Sequence, residues 1–555
     1  MKKQQTSENA IKKEETLTVN TCERSALSGA DTIGDIIIYD TTLRDGAQSE
    51  GVSFSPEDAL EVLKRLDGFG IDFVEGGWPG SNPKVDEFFR LAEKLKLKHA
   101  QLTAFGSTGK HGTPVKDDHN LRSLAACPVE WCCIFGKSWD FQVTNALCIP
   151  LEDNLDLIRN SVRFLRDSGK RVMFDAEHFF DGYLSNREYA LSALKAAVEG
   201  GAEWLVLCDT NGGVMMEDVA GAVEDMLLSF NVPIGVHCHN DSDLAVANSL
   251  VAVDRGATMV QGTINGIGER CGNANLCSIM ANLELKMEYD INVNDMTQLT
   301  ALSTFVSETA NLAPSPGMPY VGEKAFAHKG GIHVSAIAKN PRTYEHIEPG
   351  LVGNKRRILI SDMAGRASIS EKLKDFGMDV DSEESRAIVD RIKALEAEGY
   401  LFEGADASFE LLVRRFKEEI ESPFKVTGFR VFIDNVGDKL SSEASVKVMD
   451  SSGNEEHTAA NGDGPVNALD NALRKALSKL FPVTDRIRLT DYKVRVLDER
   501  SATAASVRVL IRSTDGERSW TTVGVSTNVI EASLDALVDS IEYAIYKNKD
   551  KEVIG

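Results

Sequence analysis

At 555 residues the chain is too long for one compact core, and its composition is that of an ordinary soluble globular protein with roughly two to four domains. A net charge of -24 argues against nucleic acid or an anionic membrane as the main partner, but leaves room for an anionic substrate held by a local positive cluster. No apolar run approaches the roughly 18 residues needed to span a bilayer.

Residues 1–34 are polar and mixed in charge, with Lys2, Lys3, Lys12 and Lys13 beside Glu8, Glu14 and Glu15. They lack the apolar core of a secretion signal and carry too many acids for a typical transit peptide, although their Ser/Thr content leaves an organellar address open. The expectation is a disordered tail on a cytoplasmic protein. Nine cysteines, most inside apolar runs such as Trp131-Cys132-Cys133-Ile134 and none in a CxxC pair, fit buried thiols in a reducing compartment better than a disulfide framework.

Ile36 to Tyr39 reads as a short strand buried on both faces, and the apolar run then gives way to Asp40-Thr41-Thr42-Leu43-Arg44-Asp45-Gly46. Adjacent opposite charges at a strand's C-terminal end place an electrostatic site there. Ser55-Pro56-Glu57-Asp58 follows as a helix start, with a Ser cap, Pro at the first position and acids in the first turn. Leu60, Leu63 and Leu66 continue at helical spacing, and Gly68 and Gly70 close the helix. The pattern then repeats. Candidate strands are Asp72–Gly76, His99–Phe105, Val129–Phe135, Arg171–Ala176, Glu203–Cys208, Pro233–His237 and Thr258–Ile264, with amphipathic segments between them. Eight strand–helix units in about 260 residues predict a (β/α)8 TIM barrel over 35–299. An open doubly wound sheet competes, but no glycine fingerprint follows the first strand.

Beyond Tyr289 the alternation stops. Residues 300–422 hold Gly- and Pro-containing loops, a basic stretch (Lys355, Arg356, Arg357) and helices with Ile388, Ile392 and Leu395, and read as a helical linker and lid subdomain. Near residue 424 the period returns to strands, with Ala444, Val446 and Val448 on one side. Two strands and a helix (Val466, Leu469, Leu473) come first. Strands at Tyr492–Val496, Val507–Ile511 and Thr521–Val525 and a last helix bearing Ile530, Leu534, Leu537, Ile541 and Ile545 follow. This weak duplication predicts a separate α+β domain over 423–550.

The strongest chemical signal is Val236-His237-Cys238-His239-Asn240-Asp241. Residues i and i+2 of a strand share a side, so two imidazoles at a strand's end can grip one divalent ion. They follow the seventh strand, at the end where barrels keep their active sites, and Asp45 ends the first. The eighth strand runs into Gly266-Ile267-Gly268-Glu269-Arg270-Cys271-Gly272-Asn273, where Asn273 can supply a carbonyl oxygen. One carboxylate, two imidazoles and an amide form a mixed N/O set suited to zinc, manganese, magnesium or cobalt. The fifth strand ends in Asp175-Ala176-Glu177-His178 and the sixth in Asp209-Thr210-Asn211, where Asp and Asn could equally cap the next helix.

DTTLRDG, EGGWPGSNP, FDAEHFFDGY, LCDTNGG, HCHND, GIGERCGN and the later GGIHVSA resemble, in order, the α-isopropylmalate synthase and citramalate synthase family, from about residue 35 to 548. The resemblance implies a Claisen-type condensation of acetyl-CoA with a 2-oxo acid, followed by thioester hydrolysis. It also implies Asp45, His237 and His239 as metal ligands with Asn273 in or beside that shell, and Arg44 as the arginine that stabilises the oxyanion or enolate. Thr210 matches a threonine that binds the 2-oxo acid carboxylate, and Glu177 an acid with a base or proton-relay role. His333 resembles the histidine that a partner subunit inserts over the site, and Tyr344 a lid tyrosine whose spacing from His333 is not identical. By the same resemblance the last domain is regulatory, binding an end-product amino acid, isoleucine if the product is citramalate, and the protein is a homodimer.

Three other readings stay open in the sequence. One is a 2-isopropylmalate or homocitrate synthase acting on a larger 2-oxo acid. Another is an acyl-CoA lyase of the same barrel superfamily, to which Cys271 points. The third is an amino-acid sensor on a dead barrel, opposed by the intact Arg44, Asp45, His237 and His239.

Overall fold

Eight parallel strands close on themselves in sequence order: β1 (Ile37–Asp40), β2 (Phe73–Glu75), β3 (Gln101–Ser107), β4 (Trp131–Lys137), β5 (Arg171–Glu177), β6 (Trp204–Asp209), β7 (Ile234–Cys238) and β8 (Met259–Gly262). The ring is completed by β8 against β1, with Ile37 opposite Met259 and Asp40 opposite Gly262. That pairing settles the fold as a TIM barrel and excludes the open sheet. This computed structural model describes residues 36–359, 369, 372–374, 376–378, 380–417, 420–436, 439–497 and 505–554. The tail over 1–34 lies outside the described residues. The chain divides into two compact units, one running to Ser315 with Pro319–Val321, the other comprising Pro316–Met318 and Gly322 onward.

The barrel forms because its strands are apolar on both faces, so each must be covered by side chains inside and helices outside. Tyr39, Phe73, Phe105, Trp131, Cys133, Met173, Val206, Cys208 and Met259 pack together as one interior cluster. The first helix, Pro56–Phe69, starts where the sequence places it. Ser55 accepts from the Asp58 N–H and the Asp58 side chain reaches back, a reciprocal capping box. It ends at Gly70, whose φ of 105° would strain any side chain and press a Cβ on the Asn292 carbonyl. The helix Leu299–Thr309 packs on the same unit, where Asn265 donates to the Ser303 carbonyl at 2.8 Å.

In the second unit a short parallel pair, β9 (Ala327–His328) with β10 (Arg357–Ile358), precedes the helices Ser382–Ala397 and Asp406–Phe416. Two antiparallel sheets follow: β11 (Phe424–Val436), β12 (Lys439–Asp450) and β13 (Glu455–Gly462), then β14 (Arg488–Val496), β15 (Val507–Thr514) and β16 (Ser519–Ser526). A helix follows each sheet, Pro465–Leu477 and Val529–Ile554. The duplication is therefore three strands and a helix, twice. The extra strand, β13, carries no apolar alternation because half of its residues are exposed and, of the others, only Thr458 is buried. Ala444 is fully buried in the central strand β12, where a small residue lets Ala468, Ala472 and Ala476 of the helix approach.

Within this unit the helix Asp406–Phe416 is tied to Val529–Ile554 by buried charge. The carboxylate of Glu410 is fully buried and accepts from Arg414 Nε (3.0 Å), Lys547 Nζ (2.7 Å) and Tyr543 OH (3.1 Å). One turn on, Arg415 reaches Asp539 (2.9 Å) and Glu542 (2.8 Å). The eight described cysteines are unpaired; Cys148 and Cys271 are exposed and the other six buried. Among the described residues no helix is long and apolar enough to cross a membrane.

Candidate active site

Asp45, His237 and His239 meet at the C-terminal mouth of the barrel, with one ligand atom from each lying within 4.8 Å of the others, and all three are buried. Their placement follows from how β1, β7 and β8 end. Thr41 Oγ1 donates to the Gly262 carbonyl (3.1 Å), and Thr42 Oγ1 donates to Asp40 (2.7 Å) while accepting the Ile264 N–H (2.9 Å). These bonds lock the turn after β1 to the turn after β8 and aim Asp45 into the mouth. Thus Asp40, Thr41 and Thr42 hold backbone, and the charge goes to the next two residues.

The segment after β8 folds back over β7. His239 and Asn273 form a β-bridge, and the Asn273 N–H donates to the Gly266 carbonyl at 3.0 Å. Gly272 takes φ 90°, and a Cβ there would collide with that same carbonyl, so the loop depends on glycine. Arg270 clamps the outside of the turn, donating to Asp241 (2.8 and 2.9 Å) and to the Thr210 carbonyl (2.7 Å).

Charge decides what this mouth can hold. His237 Nδ1 is 2.9 Å from Gln261 Oε1, while Nε2 faces Asp45 Oδ2 at 3.1 Å. Burial alone would raise the Asp45 carboxyl, but Arg44 and His237 outweigh it and hold it well below its ordinary range. Burial likewise disfavours a charged His237, yet Asp45 raises its affinity for a proton. Burial and the neighbouring His237 hold His239 down at about 4, so its ring is neutral and can offer a lone pair at neutral pH. Two buried polar atoms, His239 Nδ1 and Asn273 Oδ1, have no hydrogen-bond partner among the described residues. Orphaned acceptors beside an ionised carboxylate are what a bound cation would satisfy.

Arg44 lies beside this triad. Its Nε donates to Glu75 at 2.6 Å, Nη1 is 3.4 Å from Asp45, and its guanidinium sits 3.8 Å over the Phe105 ring. Glu75 is fully buried and also accepts from Tyr39 OH at 3.0 Å. Burial pushes the Glu75 carboxyl up to about 7 although Arg44 pulls it down. Asp175, buried nearby, is raised by burial too. Asp45, Glu75 and Asp175 crowd one guanidinium, and a cation bound beside them would favour their ionised forms.

The HMGL-like family model matches residues 35–306, the homocitrate synthase post-HMGL domain-like model residues 320–400, and the LeuA allosteric (dimerisation) domain model residues 403–545. Over 525 residues the chain is 52% identical to an (R)-citramalate synthase of Aquifex aeolicus, an alignment covering 94% of this chain and 99% of that one. The chain belongs to the citramalate synthase family. An (R)-citramalate synthase of Geobacter sulfurreducens is 51% identical over 520 residues, covering 93% of this chain and 98% of that one. A probable 2-isopropylmalate synthase of Methanopyrus kandleri is 33% identical, covering 92% and 99%.

In this citramalate synthase family member the other expected residues fall in two places. Thr210 and Glu177 sit at the barrel mouth: Thr210 Oγ1 accepts the His178 N–H at 2.8 Å, and Glu177 forms an ion pair with Lys137 at the end of β4. His333 and Tyr344 belong to the second unit, where their rings stack with centroids 4.2 Å apart. Cys271 is exposed in the Gly266–Asn273 turn. Sequence reasoning overlooked Glu75, Lys137 and Gln261. Two of these had a signal, since Glu75 and Gln261 are polar residues in the otherwise apolar strands Phe73-Val74-Glu75 and Met259-Val260-Gln261.

Proposed function

We propose that the protein condenses acetyl-CoA with pyruvate and water to give citramalate and CoA, as an acyltransferase that converts the acyl group to alkyl on transfer. The observation that carries the reading is the buried Asp45–His237–His239 cluster beside Arg44, in a chain of this family. The donor set fits a divalent metal, and Zn, Mn, Mg or Co would each suit its mixture of N and O atoms. Asp45, His237, His239 and Asn273 would hold the ion. When bound it supplies Lewis-acid polarisation of the keto group.

The chain's own groups do the rest. Arg44 stands where negative charge builds as the carbon–carbon bond forms, and its contacts with Glu75 and Phe105 hold it there before reaction begins. Thr210, accepting from the His178 N–H, has its own hydroxyl hydrogen to donate to the 2-oxo acid carboxylate. Glu177, positioned by Lys137, takes the proton from the acetyl methyl group. His333 of the partner subunit, with its stacked tyrosine, would cover the site and relay a proton during thioester hydrolysis. That role makes the protein a homodimer, in keeping with its LeuA allosteric (dimerisation) domain. Residues 300–422 serve as linker and lid, and 423–550 as the regulatory domain, with isoleucine as the end-product effector in branched-chain amino-acid biosynthesis. The cytoplasm is the proposed compartment.

The test follows CoA thiol release from acetyl-CoA with pyruvate, 2-oxoisovalerate and 2-oxoglutarate in turn, with and without a chelator. Pyruvate is expected to be used at least tenfold better than either, with turnover lost in chelator and restored by added metal. Preference for 2-oxoisovalerate would make the enzyme a 2-isopropylmalate synthase, and no release with any of the three would refute a synthase.

A further inference from the structure

The metal ligand His237 is backed by a chain of buried groups that the proposed reaction does not use. Gln261, on β8, is fully buried, and its Oε1 faces His237 Nδ1 at 2.9 Å. Its Nε2 donates to Asp175 Oδ1, on β5, at 3.2 Å. The same carboxylate oxygen accepts from Cys133 Sγ, on β4, at 3.0 Å. The chain thus crosses the barrel interior from β8 to β5 and β4 beneath the mouth.

The orientation of the amide follows from its neighbours. With Nε2 toward the Asp175 carboxylate, Oε1 must point at His237; the reverse would set two acceptor oxygens 3.2 Å apart in a dry interior. An acceptor at Nδ1 requires the Nδ1–H tautomer, and that leaves the Nε2 lone pair toward Asp45. An imidazole that ligates through one nitrogen needs its other N–H held by such a partner. The residue is an amide, and the setting explains why. Asp45, Glu75 and Asp175 already crowd three carboxyls around one arginine, so a fourth acid would add repulsion where a neutral amide passes the acceptor on.

We propose that Gln261 and Asp175 are positioning residues for metal capture: Asp175 orients the Gln261 amide, and Gln261 fixes His237 with Nε2 facing Asp45. This rests on the metal-binding reading above.

Divalent metal affinity of the chelator-stripped full-length protein, measured by competition with a chromogenic chelator using Zn and Mn, tests it without assaying turnover. Gln261→Met, which fills the space but offers no acceptor, is expected to weaken binding about 10–100-fold. Gln261→Glu keeps an oxygen at Nδ1 but loses the donor to Asp175 and sets a second carboxyl against it, so its affinity is expected to fall between wild type and the methionine variant. Asp175→Asn lets the amide turn over and is expected to fall between them. Excess metal is then expected to restore much of kcat to the methionine variant, which a merely structural lesion would not allow. Wild-type affinity in Gln261→Met and Asp175→Asn, with binding lost in His237→Ala, would overturn this inference and leave the metal site standing. Wild-type affinity in His237→Ala as well would overturn the metal reading itself.

Discussion

Replacing Arg44 by methionine is expected to lower kcat for condensation by about two to three orders of magnitude, the usual cost of removing a preorganised charge from a developing oxyanion. The KM for acetyl-CoA should change little. Arg44→Lys is expected to recover only part of the loss: lysine keeps the charge but not the fork that reaches Glu75 and Asp45, nor the flat face over Phe105. A stability signature should accompany the kinetic one. Burial already raises Glu75, and Arg44 is the cation that pulls it back. Without that cation the folded-state carboxyl takes up a proton still more readily than the unfolded one. A folded pKa above the unfolded value gives stability that is present at low pH and lost as pH rises through the folded value. In chelator, therefore, the melting temperature of Arg44→Met should fall more between pH 6 and pH 8 than that of wild type. Wild-type kcat in Arg44→Met would remove the arginine from the chemistry.

The largest effect on stability is expected in the second unit, at Glu410. Its carboxylate is the shared acceptor for Arg414, Lys547 and Tyr543, and it is fully buried. Replacing one member of a buried charge network leaves opposite charge without compensation and typically costs about 3–5 kcal/mol. Against a total stability of about 5–15 kcal/mol that is a large fraction. Glu410→Met should lower the urea midpoint of the second unit's transition, while metal binding at Asp45, His237 and His239 persists, because those residues lie in the first unit. Exposed Glu87, which pairs with Arg90 on a helix surface, offers the contrast: its removal should leave the urea midpoint of its own unit nearly unchanged. Equal midpoints for wild type and Glu410→Met would show that the network contributes nothing to holding the two helices together.

The barrel was legible because its physics repeats. Each strand is a short apolar run covered on both sides and followed by a helix, and where the helix is capped, as at Ser55-Pro56-Glu57-Asp58, its start can be read from four residues. Strand ends were displaced by one to two residues, as at β3 and β4, which run past Phe105 and Phe135 to Ser107 and Lys137. The shift matters at Lys137, since the extension is what brings it to Glu177. β13 escaped notice because a strand with one wet face and few apolar residues on the other carries little period-2 signal. At the site, the HxH spacing announced two rings side by side, and their centroids stand 5.2 Å apart. The groups that hold those rings and Arg44 in place could not be read in the same way. Gln261 and Glu75 act through partners 24 to 86 positions away, which strand pairing and the folding of the sheet around one interior make neighbours. A supporting residue has no local pattern of its own. What marks it is a polar side chain inside an apolar strand.

One measurement bears most directly on whether distant residues converge on a single ion. Chelator-stripped protein, reloaded and passed free of unbound metal, should retain one divalent ion per chain in wild type. It should retain none in the His237→Ala, His239→Ala double variant. Retention of a full equivalent by the double variant would mean that the imidazoles hold no ion and that the condensation takes place elsewhere.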